Sequence, residues 1–348
     1  MRILVSGATG FLGRFVIPRL IEQGHEVTGL SRQAATAQTR AREHSALGIP
    51  LLQADLTRWD GGLDPATLRG KFDLFLHMAA IYDLRVTEGE AGVQNLGGTH
   101  AALTIAQKAA IPHFTHISTI AVALGDFVSP YPPERLSIER AFSDSYARTK
   151  TQAEYMVRQW EHSFASKMVL RLGVLVGDTK GTPPLRIDGP YHAMHALRQL
   201  SPWLRTTIGP IPVIGRPDSS RLPIVPVDAV ASGIVSLVAH QLKTGCSDTF
   251  HLTPRDGGVS ARELYVFIME KIGLDDRKLH FMDTLPEEFQ TRLMQFAAGI
   301  PKEELEYLLN LPVFDARSTE DILGKDWCPV FSEFQDTLWS GYEKFIAS

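Results

Sequence analysis

Hydrophobic residues along this chain fall into short runs that alternate with longer amphipathic stretches. Six apolar runs indicate buried strands: RILVS, HEVTGLS, PLLQAD, FDLFLHMA, HFTHIS and KMVLRLGVLVG. Between them, residues 11–23, about 34–46, 88–110 and 143–164 have the apolar spacing of helices. Strands that alternate with helices predict an α/β fold, a doubly wound parallel sheet with helices on both faces.

Three glycines follow the first apolar run, in SGATGFLG, where a strand is predicted to turn into a helix. Gly7 permits a tight turn, Gly10 lets the backbone approach a pyrophosphate, and Gly13 lets helix and strand pack closely. The helix N-terminus adds unpaired N–H groups and a partial positive charge. The turn therefore favours a dinucleotide-binding Rossmann fold, with an ordinary strand–helix turn as the alternative that the rest of the chain must decide. We expect the cofactor to contact Gly7, Thr9, Gly10, Phe11, Leu12 and Gly13.

The alternation ends near residue 175, where Pro and Gly become frequent and predict loops and insertions. A helix starting near VDAVASGIVSLVAH and a strand at DTFHLT then resume the earlier pattern. We therefore expect a cofactor-binding domain at 1–178, to which 222–254 returns. Segments 179–221 and 255–348 would form a smaller C-terminal cap that binds the substrate.

The second predicted strand ends at Ser31 and Arg32, where a dinucleotide fold that binds NAD has a carboxylate for the ribose 2′-hydroxyl. A hydroxyl and a guanidinium suit a 2′-phosphate instead, through charge-assisted hydrogen bonds. The sequence therefore favours NADP over NAD. A surface arginine without a ligand is the alternative interpretation.

Tyr146 and Lys150 are four residues apart in DSYARTKTQAEYMV, and on a helix this spacing places them on one face. A phenol is a weak acid, but a neighbouring ammonium would stabilise its phenolate and lower its pKa. Such a tyrosine can exchange a proton with an alcohol or carbonyl oxygen. Ser118 and Thr119 end the predicted fifth strand and would hydrogen-bond a substrate oxygen beside the tyrosine. Taken singly, a helix-surface pair and a helix cap explain these residues as well.

Together, these motifs resemble the short-chain dehydrogenase/reductase superfamily in its extended branch, the NAD-dependent epimerase/dehydratase-like proteins. The stretches ADL, HMAA and NLGGT match further motifs of that branch. The cofactor contacts that they imply are Asp55, Leu56, Ala79, Ala80 and Asn95. In the family the tyrosine is the acid/base, the lysine holds the nicotinamide ribose and tunes the tyrosine, and a hydroxyl polarises the substrate oxygen. The resemblance implies these roles for Tyr146, Lys150 and Thr119, with Ser118 adjacent.

A narrower resemblance, to thioester reductases and fatty acyl-CoA reductases, rests on HMAAIYDL, HFTHISTIAVA, YARTKTQAE, RIDGPYHAMHALRQL and RLPIVPVD. It implies a substrate region with the contacts Tyr82, Asp188, Pro190 and Tyr191. Two departures from the family pattern stand out. Leu172 replaces the usual proline after the strand-end arginine, and Ala123-Leu124 replaces the Val-Tyr-Gly of sugar-nucleotide epimerases.

Composition narrows the classes of partner. The formal net charge of -4, without a basic tract, gives no reason to expect nucleic acid. Two cysteines are too few for a disulfide framework, and no Cys/His cluster has zinc spacing, so no metal is expected. No apolar run is long enough to span a bilayer and no signal peptide pattern opens the chain. We therefore expect a cytoplasmic protein.

These observations lead us to expect an NADPH-dependent oxidoreductase. It would transfer hydride to a ketone, aldehyde or acyl thioester of a hydrophobic small molecule, with Tyr146 as general acid/base. Two alternatives stay open: a nucleotide-sugar epimerase/dehydratase with bound NAD(P), and a non-catalytic NADP-binding redox sensor. The sequence leaves the substrate, the direction of flux and the oligomeric state undetermined, with a homodimer as one arrangement.

Overall fold

A seven-stranded parallel sheet forms the centre of the molecule. The computed structural model describes residues 1–32, 48–81, 87–142, 144–161, 164–287, 289–290 and 302–348, and for 302–305 the backbone alone. The sheet strands are β1 (Arg2–Ser6), β2 (Glu26–Ser31), β3 (Leu51–Gln53), β4 (Leu74–His77), β5 (His113–Thr119), β6 (Ser166–Leu172) and β11 (Thr249–Leu252). Their order is β11-β6-β5-β4-β1-β2-β3. The chain winds outward from β1 to β3 and then returns to the other side of β1, which confirms the predicted doubly wound fold.

Six shorter strands pair outside this sheet. They are β7 (Val174–Val176) with β10 (Ile224–Pro226), β8 (Ile211–Ile214) with β13 (Leu279–Met282), and β9 (Arg221–Leu222) with β12 (Val259–Ser260). The helices are α1 (Gly13–Glu22), α2 (Glu88–Ala91), α3 (Gly98–Lys108), α4 (Ser145–Gln159), α5 (Pro190–Thr206), α6 (Val227–Thr244), α7 (Ala261–Lys271), α8 (Lys302–Asn310), α9 (Arg317–Leu323) and α10 (Phe331–Ala347). A π-helical turn at Gly92–Gly97 joins α2 to α3. Among the helices of the described ranges, none has both the length and the apolar character needed to cross a membrane.

The predicted elements differ from the observed ones mainly at their ends. The sixth apolar run divides at Gly173 into β6, which belongs to the main sheet, and β7, which pairs with β10. A Cβ at Gly173 would stand 2.4 Å from the carbonyl oxygen of Pro223, so the chain passes close to the β9–β10 segment there. The helix predicted from residue 143 begins at Ser145, where Asp144 caps it by accepting from the Ala147 N–H at 2.6 Å. The helix predicted at 34–46 lies outside the described residues.

Both faces of the sheet are buried, which explains why its strands are apolar runs rather than alternating ones. Ile3 belongs to a core cluster with Ile17 of α1 and Ile234 of α6. Its neighbour Leu4 points to the other face and packs in a cluster with Leu103 of α3 and with α4. Each such fully buried side chain stabilises the fold by roughly 1.5–3 kcal/mol.

A third apolar cluster lies where α5, α7 and α10 meet, and Leu200, Phe267 and Trp339 are among its members. Helix α6 packs against α1, and β11 extends the sheet beside β6. The domain limits at 178, 222 and 254 stay a prediction.

Candidate active site at the carboxyl ends of the strands

A cavity of about 520 Å³ opens at the carboxyl ends of the central strands. One side is lined by the turn after β1, the residues after β4 and the end of β5, together with Tyr146 and Lys150 of α4. The opposite side is lined by the chain that follows β6 and by α5, α7 and α8. In doubly wound folds this edge of the sheet is where ligands bind.

The glycine turn after β1 lines the cavity through Gly7 and Gly10, with Phe11 and Leu12 beside them. Gly7 has a φ of 75°, and a Cβ there would lie 2.8 Å from the Ala79 nitrogen. A Cβ at Gly13 would lie 2.3 Å from the Ala8 carbonyl oxygen, so only glycine lets α1 pack this closely on the turn. Thr9 of the same turn is exposed.

Four more residues that are expected to contact the dinucleotide lie at the ends of β2 and β4, the two strands that flank β1. Ser31 ends β2, one position beyond the Ser6–Leu30 pair, and Arg32 follows it on the surface. Ala79 and Ala80 line the cavity directly after β4.

Two further residues that are expected to contact the cofactor, Asp55 and Asn95, make hydrogen bonds within the protein. The Asp55 carboxylate accepts from the Thr57 N–H at 3.1 Å and from the Thr57 hydroxyl at 2.8 Å, directly before Leu56. The Asn95 carboxamide is buried, accepts from the Ile81 N–H at 2.9 Å and donates to the Thr149 hydroxyl at 3.2 Å. Asn95 therefore ties the chain after β4 to helix α4. Tyr82, expected at the substrate, lies outside the described residues.

Thr119 and Tyr146 meet in the cavity and share a hydrogen bond. The Thr119 oxygen already accepts from the Ala121 N–H at 3.2 Å, so its own hydrogen can be donated to the phenol oxygen. Burial raises the pKa of Tyr146 to about 12, and the Thr119 hydrogen bond and the charge of Arg186 act in the opposite direction. Tyr146 therefore keeps its proton at neutral pH, as a proton donor must.

The expectation that Lys150 lowers the pKa of Tyr146 is wrong for this structure, since the phenol is held above its usual pKa. The Lys150 ammonium is buried and donates to the carbonyl oxygen of Ile117 at 2.7 Å, two residues before the end of β5. Burial lowers the pKa of Lys150 to about 8, and the negative charge of Glu154 opposes that shift. Lys150 is thus anchored to β5 and carries its charge at neutral pH.

Ser118 lines the cavity, but its hydroxyl donates to the Glu154 carboxylate at 2.6 Å. Glu154 also accepts from Arg171 and Arg158, each at 2.7 Å, and Arg171 in turn contacts His251 at 3.0 Å. Burial opposes ionisation of Glu154, yet the charge of Arg171 lowers its pKa to about 2. Thr119 is therefore the hydroxyl placed beside the tyrosine. The sequence carried a signal for Glu154, which follows Lys150 by one further helical turn.

The opposite side of the cavity takes its expected residues from one loop and the first turn of α5. Asp188 pairs with Arg186 at 2.8 Å, and Pro190 occupies the first turn of the helix. The Tyr191 ring is buried, and its hydroxyl accepts from the Gly177 N–H at 2.9 Å. Burial raises the pKa of Tyr191 to about 12, so it is a neutral wall of the cavity.

Several lining residues of this side were missed from the sequence. Five of them come from segments that are far apart along the chain: Leu222, Leu264, Tyr265, Tyr307 and Leu308. Only tertiary packing brings them together, so no local spacing could have revealed them.

A sequence profile of the NAD dependent epimerase/dehydratase family matches residues 3–244. Carboxylic acid reductase of Segniliparus rugosus is 24% identical over 356 aligned positions, covering 90% of this chain and 29% of that protein. A 3-beta-hydroxysteroid dehydrogenase of Mycolicibacterium neoaurum is 30% identical over 163 positions, covering 45% of this chain and 42% of that protein. The chain thus spans less than half the length of these two relatives.

Among solved structures, the terminal R domain from the myxalamid PKS-NRPS biosynthetic pathway superimposes with a TM-score of 0.78. It is 22% identical and covers 99% of this chain and 90% of that one, so the likeness in fold runs through the whole chain. The family profile takes in the glycine turn, the end of β5 and the Tyr146–Lys150 helix. The resemblance that the motifs indicated is therefore confirmed, and this chain belongs to the NAD dependent epimerase/dehydratase family.

Proposed function

We propose that this protein is an NADPH-dependent oxidoreductase that delivers hydride to the carbonyl carbon of a largely apolar substrate, with Tyr146 as the proton donor. One observation carries the proposal. A single cavity brings the glycine turn, the Thr119–Tyr146 hydrogen bond and a buried Lys150 together with an apolar wall. Relatives that include a reductase and a dehydrogenase support this reaction class.

We call the side of the cavity that is lined by the glycine turn, the residues after β4, the end of β5 and helix α4 the strand-end side. This side fits a nicotinamide dinucleotide. At Gly7 a Cβ would strike the chain after β4, and Gly10 presents bare backbone to the cavity, so the turn leaves room for a pyrophosphate. Helix α1 begins at this turn and adds the partial positive charge of its N-terminus. Ser31 and Arg32 at the end of β2 support NADP, because a guanidinium binds a 2′-phosphate better than a hydroxyl.

When bound, the cofactor supplies the hydride. The protein's own groups manage the proton and the charge on the substrate oxygen. Tyr146 is protonated at neutral pH and donates its proton to the oxygen that gains negative charge. Thr119 stabilises the same oxygen and then the phenolate, and the Lys150 ammonium, fixed by the Ile117 carbonyl, holds a positive charge near the reaction.

We call the opposite side, which is lined by the chain after β6 and by α5, α7 and α8, the substrate side. This side is apolar and nearly neutral. Of the residues that line this side in the described part of the chain, Arg186 carries positive charge, and Asp188 pairs with it at 2.8 Å. Leu222, Leu264 and Leu308 are among its apolar members. Such a wall suits an acyl chain or ring system better than the diphosphate of a nucleotide sugar.

For a ketone or aldehyde, hydride addition and the Tyr146 proton give an alcohol. For an acyl thioester, hydride addition gives a hemithioacetal oxyanion, which Tyr146 and Thr119 would stabilise before the thiol leaves and an aldehyde forms. Both reactions consume NADPH and use the same two hydroxyls.

The test is NADPH consumption at 340 nm by the purified protein, with ketones, aldehydes, acyl-CoA thioesters and sugar nucleotides supplied in turn. We expect oxidation of NADPH with an apolar carbonyl or thioester substrate. Conversion of a sugar nucleotide without net NADPH consumption would establish the epimerase/dehydratase alternative. Tight NADPH binding without turnover on any of these classes would support the redox sensor.

A further inference from the structure

Helix α4 contacts the last three residues of β5 at three successive helical turns. On the helix the contacts are made by Tyr146, Lys150 and Glu154, and residues four apart on a helix share a face. Their partners on β5 are, in turn, the Thr119 hydroxyl, the Ile117 carbonyl oxygen and the Ser118 hydroxyl. Tyr146 and Lys150 line the cavity, and Glu154 is fully buried one turn further along the helix.

The contact between Glu154 and Ser118 adjoins the candidate catalytic pair. The Ser118 hydroxyl donates to the Glu154 carboxylate at 2.6 Å. Thr119 is the next residue of the strand, and its hydroxyl meets the Tyr146 phenol in the cavity. Because Ser118 and Thr119 are consecutive, the bond that fixes Ser118 also restricts the backbone to which the Thr119 hydroxyl is attached.

Glu154 is a fixed acceptor, because two arginines hold its carboxylate. Arg171 of β6 and Arg158 of α4 each contact it at 2.7 Å. Arg171 is fully buried as well, and its guanidinium contacts His251 of β11 at 3.0 Å. A shift of the carboxylate would break charge-assisted hydrogen bonds to β6 and within α4. Ser118 is therefore bonded to a group that the neighbouring strand and the helix keep in place.

Buried ion pairs add little to stability, because removing two charges from water costs about as much as their attraction provides. Replacing such a pair by apolar residues of similar volume is often neutral or stabilising. In some proteins, buried polar groups of this kind serve to specify one geometry. For the Glu154–Arg171 pair, that geometry is the position of α4 against the end of β5.

We infer that Glu154 and Ser118 are positioning residues: their hydrogen bond sets the end of β5 against α4 and so keeps the Thr119 hydroxyl within reach of the Tyr146 phenol. The inference rests on the roles given to Thr119 and Tyr146 in the proposed function. Ser118 then acts through Thr119 and not on the substrate itself.

Other contacts also hold α4 in place, so the Ser118 contact can be removed singly. The Lys150 ammonium stays bonded to the Ile117 carbonyl, and Asn95 stays bonded to the Thr149 hydroxyl at 3.2 Å. Loss of the Ser118 hydroxyl should therefore displace the end of β5 by a small distance and leave the fold intact.

The experiment follows the Tyr146 Cζ signal by NMR, in protein with carbon-13-labelled tyrosines at pH 7, with Tyr146→Phe to assign it. This carbon carries the phenol oxygen, so its chemical shift responds to hydrogen bonds at that oxygen. Thr119→Val removes the hydrogen bond and defines the change that its loss causes. We expect Ser118→Ala to move the signal in the same direction, and Ser118→Thr, which keeps a hydroxyl, to leave it near its original position.

A double-mutant comparison tests whether the effect passes through Thr119. In a Thr119→Val background, Ser118→Ala should cause no further change, since the hydroxyl that it displaces is already gone. Ser166→Ala is the matched control. Ser166 is a buried serine at the start of β6, where its hydroxyl contacts His113 at 2.8 Å and Gln241 at 2.9 Å. Its loss should leave the Tyr146 signal unchanged.

Steady-state kinetics gives a second readout. Ser118→Ala should lower kcat by about tenfold or more, because misplacing a catalytic group slows the chemical step, and should leave KM for NADPH nearly unchanged. An unchanged kcat would contradict the inference.

A Tyr146 signal in Ser118→Ala that coincides with that of the unmodified protein would overturn the inference. A change that persists in full in the Thr119→Val background would do the same. If Ser118→Ala does not fold, Ser118→Cys decides by the same criteria, because a thiol is a weak donor. The NMR comparison needs no substrate or cofactor, so a failure of the proposed hydride transfer would not be confused with a failure of this inference.

Discussion

The residues on the two sides of the cavity differ in how they can be recognised in the sequence. The strand-end side draws on the glycine turn, Thr119 and the Tyr146–Lys150 helix, each a local motif on a turn, strand end or helix. The substrate side draws on residues such as Leu222, Leu264 and Leu308, which share no motif. The candidate catalytic and cofactor-binding residues can therefore be predicted from the chain, whereas the shape of the opposite side of the cavity depends on tertiary packing.

The two sides also differ in charge. The strand-end side buries an ammonium at Lys150 and, behind it, the Glu154–Arg171 pair. On the substrate side the Arg186–Asp188 pair lies toward solvent, with the arginine side chain 51% exposed. Substitutions on the first side should change cofactor binding and the chemical step, and those on the second side should change substrate affinity.

The largest difference between the two sides should come from Lys150→Ala, a substitution on the strand-end side. Removing the ammonium deletes the buried positive charge at the end of β5 and, as the family resemblance implies, a contact to the nicotinamide ribose. We expect kcat to fall by about 10²-fold or more, within the range of general acid catalysis, and NADPH binding to weaken. Steady-state kinetics and NADPH titration measure both. Lys108→Ala, on a surface lysine over the Trp59 ring, is the control, and equal effects of the two variants would contradict this assignment.

Arg32→Ala tests the cofactor end of the strand-end side. We expect NADPH binding to weaken by about 1.5–3 kcal/mol, the scale of a hydrogen bond to a charged group. NADH binding should hardly change, because NADH lacks the 2′-phosphate. Titration of the protein with each cofactor measures the difference. Equal losses for the two cofactors would mean that Arg32 does not contact the phosphate.

Tyr191→Ala tests the substrate side. The buried ring lines the cavity, so its loss should raise KM for the substrate by about tenfold, equivalent to about 1.4 kcal/mol, with NADPH affinity nearly unchanged. Tyr191→Phe keeps the ring and loses only the hydrogen bond from Gly177, so a smaller effect is expected. A loss confined to NADPH binding would show that this residue lies on the cofactor side.

A change of pH should affect the stability of the whole fold rather than one side of the cavity. The sheet buries neutral imidazoles: burial, with the charges of Lys150 and Arg171 respectively, lowers the pKa of His77 to about 3 and that of His251 to about 4. In the unfolded chain these groups bind protons below about pH 6.5, so that state takes up more protons than the folded one. Stability should therefore fall as the pH drops below about 6.5. Thermal unfolding at pH 7 and pH 5 measures this, and equal midpoints would contradict it.

The fold could be predicted because its determinants are local. The β1 strand and the turn at Gly7 follow from an apolar run and a backbone conformation that favours glycine. The identities of Tyr146, Lys150 and Thr119 as candidates followed from their spacing and from the family resemblance. The protonation of Tyr146 could not be predicted, because it depends on burial of the phenol and on its hydrogen bond with Thr119.

The central claim, that Tyr146 donates the proton that accompanies hydride transfer, is tested most directly by single-turnover oxidation of NADPH in Tyr146→Phe. Tyr155→Phe, on an exposed tyrosine of the same helix, is the matched control. We expect the rate of NADPH oxidation to fall by about 10²-fold or more in Tyr146→Phe, with NADPH affinity retained, and to stay unchanged in Tyr155→Phe. A Tyr146→Phe protein that oxidises NADPH at a near-normal rate with its substrate would contradict the account.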